Sequence, residues 1–135
     1  MTNSVVTSDI SETVYNAVAK MMNLNVGCIV VTEHQQIVGI ITKGDVLKKS
    51  LLKSHNPKRI IVSKIMSNPV ITIRPDASLE EAAKLMREKK VSKLPVIESH
   101  KLAGIITSTD IIRMEPTQVG YLKELVRARF VPHNL

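Results

Sequence analysis

The feature that most constrains this chain is a repeat. "GIITKGD", Gly39 to Asp45, returns as "GIITSTD", Gly104 to Asp110, 65 positions later. Shifted by that offset, the two halves stay in step without a gap. MTNSVVT (Met1 to Thr7) lies over MSNPVIT (Met66 to Thr72), and Ala17 and Met21 lie over Ala82 and Met86. NVGCIVVTE (Asn25 to Glu33) lies over KVSKLPVIE (Lys90 to Glu98). About 14 of roughly 46 aligned positions are identical, and many others exchange one aliphatic residue for another. The chain is therefore two copies of one unit. An offset this long points to two small subdomains rather than a solenoid.

Each copy has the same internal rhythm. A short β-branched run, Val5 to Thr7 or Val70 to Ile73, reads as a strand. A helix follows, with Val14, Ala17, Val18, Met21 and Met22 at helical spacing in copy one. Leu79, Ala82, Ala83 and Met86 repeat that spacing in copy two, where Ser78 and Glu81 form a capping-box pattern. These methionines are read as core. Two strands joined by a polar turn come next: Cys28 to Thr32 with Ile37 to Ile41, then Leu94 to Ile97 with Leu102 to Ile106. A last helix opens after Thr42 or Thr107. The predicted order is β-α-β-β-α, twice, which makes the fold class α+β. The predicted boundaries are 1–55 for copy one, 56–65 for a basic linker and lead-in, 66–115 for copy two, and 116–135 for a C-terminal helix and tail. That helix opens at Pro116 and carries Val119, Leu122 and Val126 at helical spacing.

Composition narrows the classes of function. The chain has 135 residues, enough for a sizeable core, with 44% hydrophobic and 23% charged residues. No apolar run approaches the roughly 18 residues of a membrane span, and MTNSVVTSDI does not read as a signal peptide. Cys28 is the single cysteine, so no intramolecular disulfide can form and a reducing, cytoplasmic setting is expected. The formal charge of +7 favours anionic partners, with lysines gathered between Lys48 and Lys64. Aromatic residues are only 2%, which removes the stacking platform of single-strand nucleic-acid binders. A nucleic-acid role is the weakest of the readings.

Catalytic patterns are lacking. His34, His55, His100 and His133 have no metal-ligand spacing, and neither a P-loop nor G-x-G-x-x-G occurs. No enzyme activity, catalytic cofactor or metal is expected. What remains is Thr42-x-x-Asp45 and Thr107-x-x-Asp110. Locally each can cap a helix, the Thr hydroxyl and the acidic side chain exchanging bonds with backbone N–H groups. Chemically, an Asp carboxylate can accept from two vicinal hydroxyls, as a ribose offers them, and a Thr hydroxyl can donate to a phosphate oxygen. The two readings are compatible.

"GIITKGD", "GIITSTD", "MSNPVITIRPDASLEEAAKLM" and "VSKLPVIE", repeated in this order, resemble the tandem CBS domain pair, or Bateman module. The resemblance spans Met1 to about Met114. It implies two repeats packed pseudo-symmetrically through their sheets, with two clefts that bind AMP, ADP, ATP or S-adenosylmethionine. It also implies a regulatory, non-catalytic role, a homodimer, and an unidentified regulated protein. By the same resemblance, one pocket would use Ile40, Thr42 and Asp45 with Val70, Ile71, Ser92 and Lys93. The other would use Ile105, Thr107 and Asp110 with Val5, Val6, Gly27 and Cys28. Both Asp side chains would take ribose hydroxyls, and Lys93 would meet phosphate. Gly27-Cys28 stands where copy two has Ser92-Lys93, so unequal sites are expected, the Asp45 pocket taking the more highly charged ligand. Copy one has no counterpart of Val62 to Ile65, and its cleft edge is expected to be less well made. The competing reading is an interaction scaffold with empty clefts.

Overall fold

The offset of 65 seen in the sequence is reproduced by the backbone. The computed structural model describes residues 5–113. The chain divides into two units, with the boundary between Val70 and Ile71.

In copy one, β1 (Thr7–Asp9) leads to α1 (Val14–Leu24), then β2 (Cys28–Glu33), β3 (Gln36–Thr42) and the short α2 (Lys43–Val46). A π-helical stretch, Leu47–Leu51, continues α2. The sheet order is β1-β2-β3. β1 runs parallel to β2, with Thr7 opposite Val30, and β2 runs antiparallel to β3, with Cys28 opposite Thr42. In copy two, α3 (Leu79–Lys89), β4 (Lys93–Glu98), β5 (Lys101–Thr107) and α4 (Ser108–Arg113) follow the same plan. Lys93 lies opposite Thr107, and the register slips between Val96 and Ile97, as it does between Val31 and Thr32 in copy one.

The details repeat as well. Thr13 caps α1 by accepting from Asn16 N–H at 3.1 Å, and Ser78 caps α3 by accepting from Glu81 N–H at 3.1 Å. Each helix closes on a left-handed residue, Asn25 at φ 53° and Lys90 at φ 56°. The hairpin turns need only two residues. His34 and Gln35 have φ 51° and 67°, and Ser99 and His100 have φ 51° and 64°. Two successive positive φ values make the turn that matches the twist of the flanking strands.

Each unit has its own core. In copy one Val14, Ala17 and Met21 of α1 pack with Ile29, Val31 and Ile41 of the sheet, and with Val62 and Ile65 from the segment that follows. In copy two Ala82 and Met86 pack with Leu94, Val96 and Ile106. Met22 departs from the expectation: it is 72% exposed, because the next residue round from Met21 turns off the buried stripe.

The first strands also differ from expectation. In copy one the paired run is Thr7–Asp9, although Val6 C=O still accepts from Val30 N–H at 3.0 Å. In copy two, Val70 to Ile73 yields a single parallel bridge, Ile73 with Val96. The reason is Pro95, which stands at the place of Val30 and has no N–H to donate.

The segment after the π-helical stretch folds back on copy one. Val14 N–H donates to Ile60 C=O and Val62 N–H donates to Glu12 C=O. Ser67 exchanges both backbone bonds with Ile40, at 2.8 and 3.1 Å. This lays Met66 over Gly39, where a β-carbon would come within 2.8 Å of Met66 Cγ. Gly39 opens the repeated "GIIT" because another chain segment lies flat against it.

Candidate functional site

The two Thr-x-x-Asp segments sit at equivalent ends of the two hairpins. Thr42 ends β3 in extended conformation and becomes the N-cap of α2. Thr42 N–H donates to Asp45 Oδ2 at 2.9 Å, and Asp45 N–H donates to Thr42 Oγ1 at 3.2 Å. The Thr42 hydroxyl donates in turn to Asp45 Oδ2 at 3.1 Å. Copy two repeats the reciprocal pair: Thr107 N–H to Asp110 Oδ2 at 2.8 Å, and Asp110 N–H to Thr107 Oγ1 at 3.1 Å. The local reading of the motif is therefore met in both copies. Aspartate does the work that glutamate or glutamine usually does in a capping box.

A second tie fixes the same corner. Lys43 N–H donates to Gly27 C=O at 3.2 Å, and Ser108 N–H donates to Ser92 C=O at 2.8 Å. The residue before each hairpin is thus held against the start of the helix that follows it. Within copy one this brings together Gly27, Cys28, Thr42 and Asp45; within copy two it brings together Ser92, Lys93, Thr107 and Asp110. Gly27 and Ser92 are exposed, whereas Cys28, Lys93, Thr42 and Thr107 are half-buried. Ile40 is half-buried and Ile105 is buried. Val5 and Val6 are half-buried just ahead of β1, and Val70 and Ile71 are half-buried on either side of the division between units.

One residue absent from the sequence expectations joins the site. Lys49 Nζ lies 3.2 Å from Asp45 Oδ1, one helical turn on, and donates to Ile65 C=O at 3.3 Å. The Asp45 side chain is only 13% exposed, so its charge is largely sequestered from water. The signal was present in the sequence as an acidic residue followed four positions later by a lysine.

Other polar clusters stand apart from this corner. Ser8 Oγ donates to Glu12 Oε2 at 2.6 Å, and Lys20 Nζ reaches the same oxygen at 3.0 Å. Burial pushes the Glu12 carboxyl up, but the bonds from Ser8 and Lys20, and the lysine's charge, outweigh it and hold Glu12 below its ordinary value. Asp9 is held below its ordinary value by the Ser11 hydroxyl and then by Ser11 N–H. Lys58 sits 5.0 Å from the centre of the Tyr15 ring, a cation over an aromatic face. Copy two has an open depression of about 470 Å³ lined by Thr72, Arg74, Asp76 and Glu81, among others. It includes none of the expected binding residues, and the Arg74–Asp76 pair on its rim is well exposed. Among the described residues, no group of three or more His, Cys, Asp or Glu side chains could hold a metal ion. No helix among them is long and apolar enough to cross a membrane.

Two α+β repeats, each ending its hairpin in a Thr-x-x-Asp cap, define a paired-repeat module. The CBS-domain family profile matches residues 1–52 and again 62–116. The chain belongs to the CBS-domain family, as a tandem pair of such domains. An uncharacterized protein of Methanopyrus kandleri is 38% identical over 122 residues, 89% of this chain and 62% of the relative. A putative signal-transduction protein with CBS domains from Burkholderia ambifaria superposes with a TM-score of 0.77 at 30% identity, covering 82% of each chain. A hexameric CBS-CP12 protein from bloom-forming cyanobacteria gives a TM-score of 0.76 at 33% identity, over 84% of this chain and 66% of that one. The chain spans about half to two thirds of the length of several curated relatives it matches. Tandem CBS domains are regulatory modules that commonly bind adenosine-containing ligands.

Proposed function

We propose that this chain is a ligand-sensing regulatory module that binds AMP, ADP, ATP or S-adenosylmethionine and acts by binding rather than by catalysis. The observation that carries the reading is the twofold Thr-x-x-Asp corner, formed with the same bonds at the same place in both repeats. Asp45 and Asp110 accept from ribose hydroxyls, and Thr42 and Thr107 serve the ribose or phosphate end. By the family resemblance, Val70, Ile71, Ser92 and Lys93 would complete the Asp45 pocket, and Val5, Val6, Gly27 and Cys28 would complete the Asp110 pocket. Lys93 meets phosphate. Ile40 and Ile105 give apolar walls to the base. The protein works in the reducing cytoplasm and passes its signal to a regulated partner.

A specific observation supports self-association. Leu47 and Ile112, at equivalent positions 65 apart, are 55% and 82% exposed, and Leu51 and Leu52 extend the patch in copy one. Apolar side chains placed alike in both copies suit a homodimer. The structurally similar cyanobacterial CBS-CP12 protein is itself hexameric.

The test is a thermal-shift series with the four ligands, on the wild type and on Asp45→Ala/Asp110→Ala. A rise in melting temperature with at least one adenosine ligand, lost in the double variant, is the expected result. No shift with any of them at millimolar concentration leaves the scaffold reading in its place.

A further inference from the structure

We infer that Lys49 is a specificity-determining residue that restricts the Asp45 site to phosphorylated nucleosides and disfavours neutral nucleosides and sulfonium-bearing ones. The inference deepens the nucleotide reading and rests on it.

It follows from a count of acceptor positions. A carboxylate offers about four. At Asp45, Oδ2 already accepts from Thr42 N–H at 2.9 Å and from the Thr42 hydroxyl at 3.1 Å, and the Lys49 ammonium is ion-paired with Oδ1 at 3.2 Å. The two positions left are on Oδ1, where the ammonium lies, so the two hydroxyls of a ribose diol compete with Lys49 for the same oxygen. The cap bonds also hold the backbone turn, so the lysine is the partner that can leave.

Its departure has a cost that depends on the ligand. Asp45 is 13% exposed, and a neutral sugar in place of the ammonium leaves its charge without a counter-ion. The lysine must also give up Ile65 C=O. A ligand with a phosphate group supplies a new anion for the released ammonium, so the loss is offset. Adenosine supplies none, and S-adenosylmethionine sets a sulfonium cation on the 5′ carbon, where a nucleotide has its phosphate, with its carboxylate further out, so the lysine meets a like charge there. Copy two has Met114 at the position of Lys49. The offset by which the chain repeats therefore places a lysine after one Asp and a thioether after the other.

The experiment uses the full chain in an Asp110→Ala background, with AMP and adenosine as the two probes and calorimetry as the readout. With Lys49 present, AMP is expected to bind about tenfold or more tightly than adenosine. Lys49→Met is expected to tighten adenosine about fivefold and to weaken AMP, collapsing the ratio. Lys49→Gln, which keeps a donor for Ile65 C=O and so the fold of that corner, is expected to move the ratio in the same direction. Binding of AMP with a ratio unchanged in both variants overturns this inference and leaves the nucleotide reading standing. Absence of AMP binding in all three proteins overturns this inference, whereas the nucleotide reading falls only if the four-ligand thermal-shift series on the wild type also shows nothing.

Discussion

Replacing Glu12 by Ala will destabilise copy one by more than its partly exposed lysine partner suggests. Ser8 is 2% exposed and donates to Glu12 at 2.6 Å; its other contact, to Asp9 C=O, is a marginal 3.4 Å. Without the carboxylate that buried hydroxyl is poorly satisfied, at a cost of about 1–3 kcal/mol. The Lys20 pair adds only about a few tenths of a kcal/mol, since the lysine side chain is 37% exposed and screened. The expected loss for Glu12→Ala is therefore about 2 kcal/mol. Copy two solves the same place without polar groups: Ile73, Ala77 and Leu85 stand at the positions of Ser8, Glu12 and Lys20, and pack on its core. The triple replacement Ser8→Ile, Glu12→Ala, Lys20→Leu is therefore expected to lie within about 1 kcal/mol of wild type, because donor, acceptor and cation leave together. Urea denaturation followed by circular dichroism gives the midpoint and slope for each protein. The pH dependence has a definite sign. The folded Glu12 carboxyl lies below its ordinary 4.5, so its contribution is complete above about pH 4.5 and is lost as pH falls through the lower folded value. A triple variant as unstable as the sum of its single replacements, or a Glu12→Ala variant within about 0.5 kcal/mol of wild type, would refute the reasoning.

Gly39→Ala drives a β-carbon into Met66, and a loss of about 1–3 kcal/mol is expected, partly restored by adding Met66→Ala; thermal denaturation of both variants beside the wild type checks this. Thr42→Ala removes the acceptor of Asp45 N–H and should cost about 1 kcal/mol in the same assay, with Thr107→Ala behaving alike in copy two.

Much of this was readable from the offset alone. Helices, hairpins and caps recur 65 residues apart, and so do features no propensity scale would name: left-handed Asn25 and Lys90, and the paired slips after Val31 and Val96. What periodicity could not supply was discrimination between neighbours. Met21 and Met22 both fit an apolar helix, but only one of two adjacent residues can face a narrow core stripe, and Met22 faces water. The strand expected at Val70 to Ile73 misled because β-branched residues signal a strand only where a partner can donate, and the missing donor, Pro95, lies in a different run. Lys49 was legible as an i,i+4 partner of Asp45 but stood in the sequence as one of several lysines gathered between Lys48 and Lys64. Which strands complete which Asp pocket is a long-range matter that no local pattern encodes, so the resemblance alone carries it. The helix expected after Pro116 lies outside the described residues.

On the proposed reading, each repeat contributes one Asp-centred ribose site, and the two sites are unequal. Calorimetric titration with ATP, with protein concentration fixed so that stoichiometry is read directly, tests it in one experiment. Two sites of different affinity in the wild type, one in Asp45→Ala, one in Asp110→Ala and none in the double variant are the expected results. Undiminished binding in the double variant would contradict the claim, and so would two indistinguishable sites in the wild type.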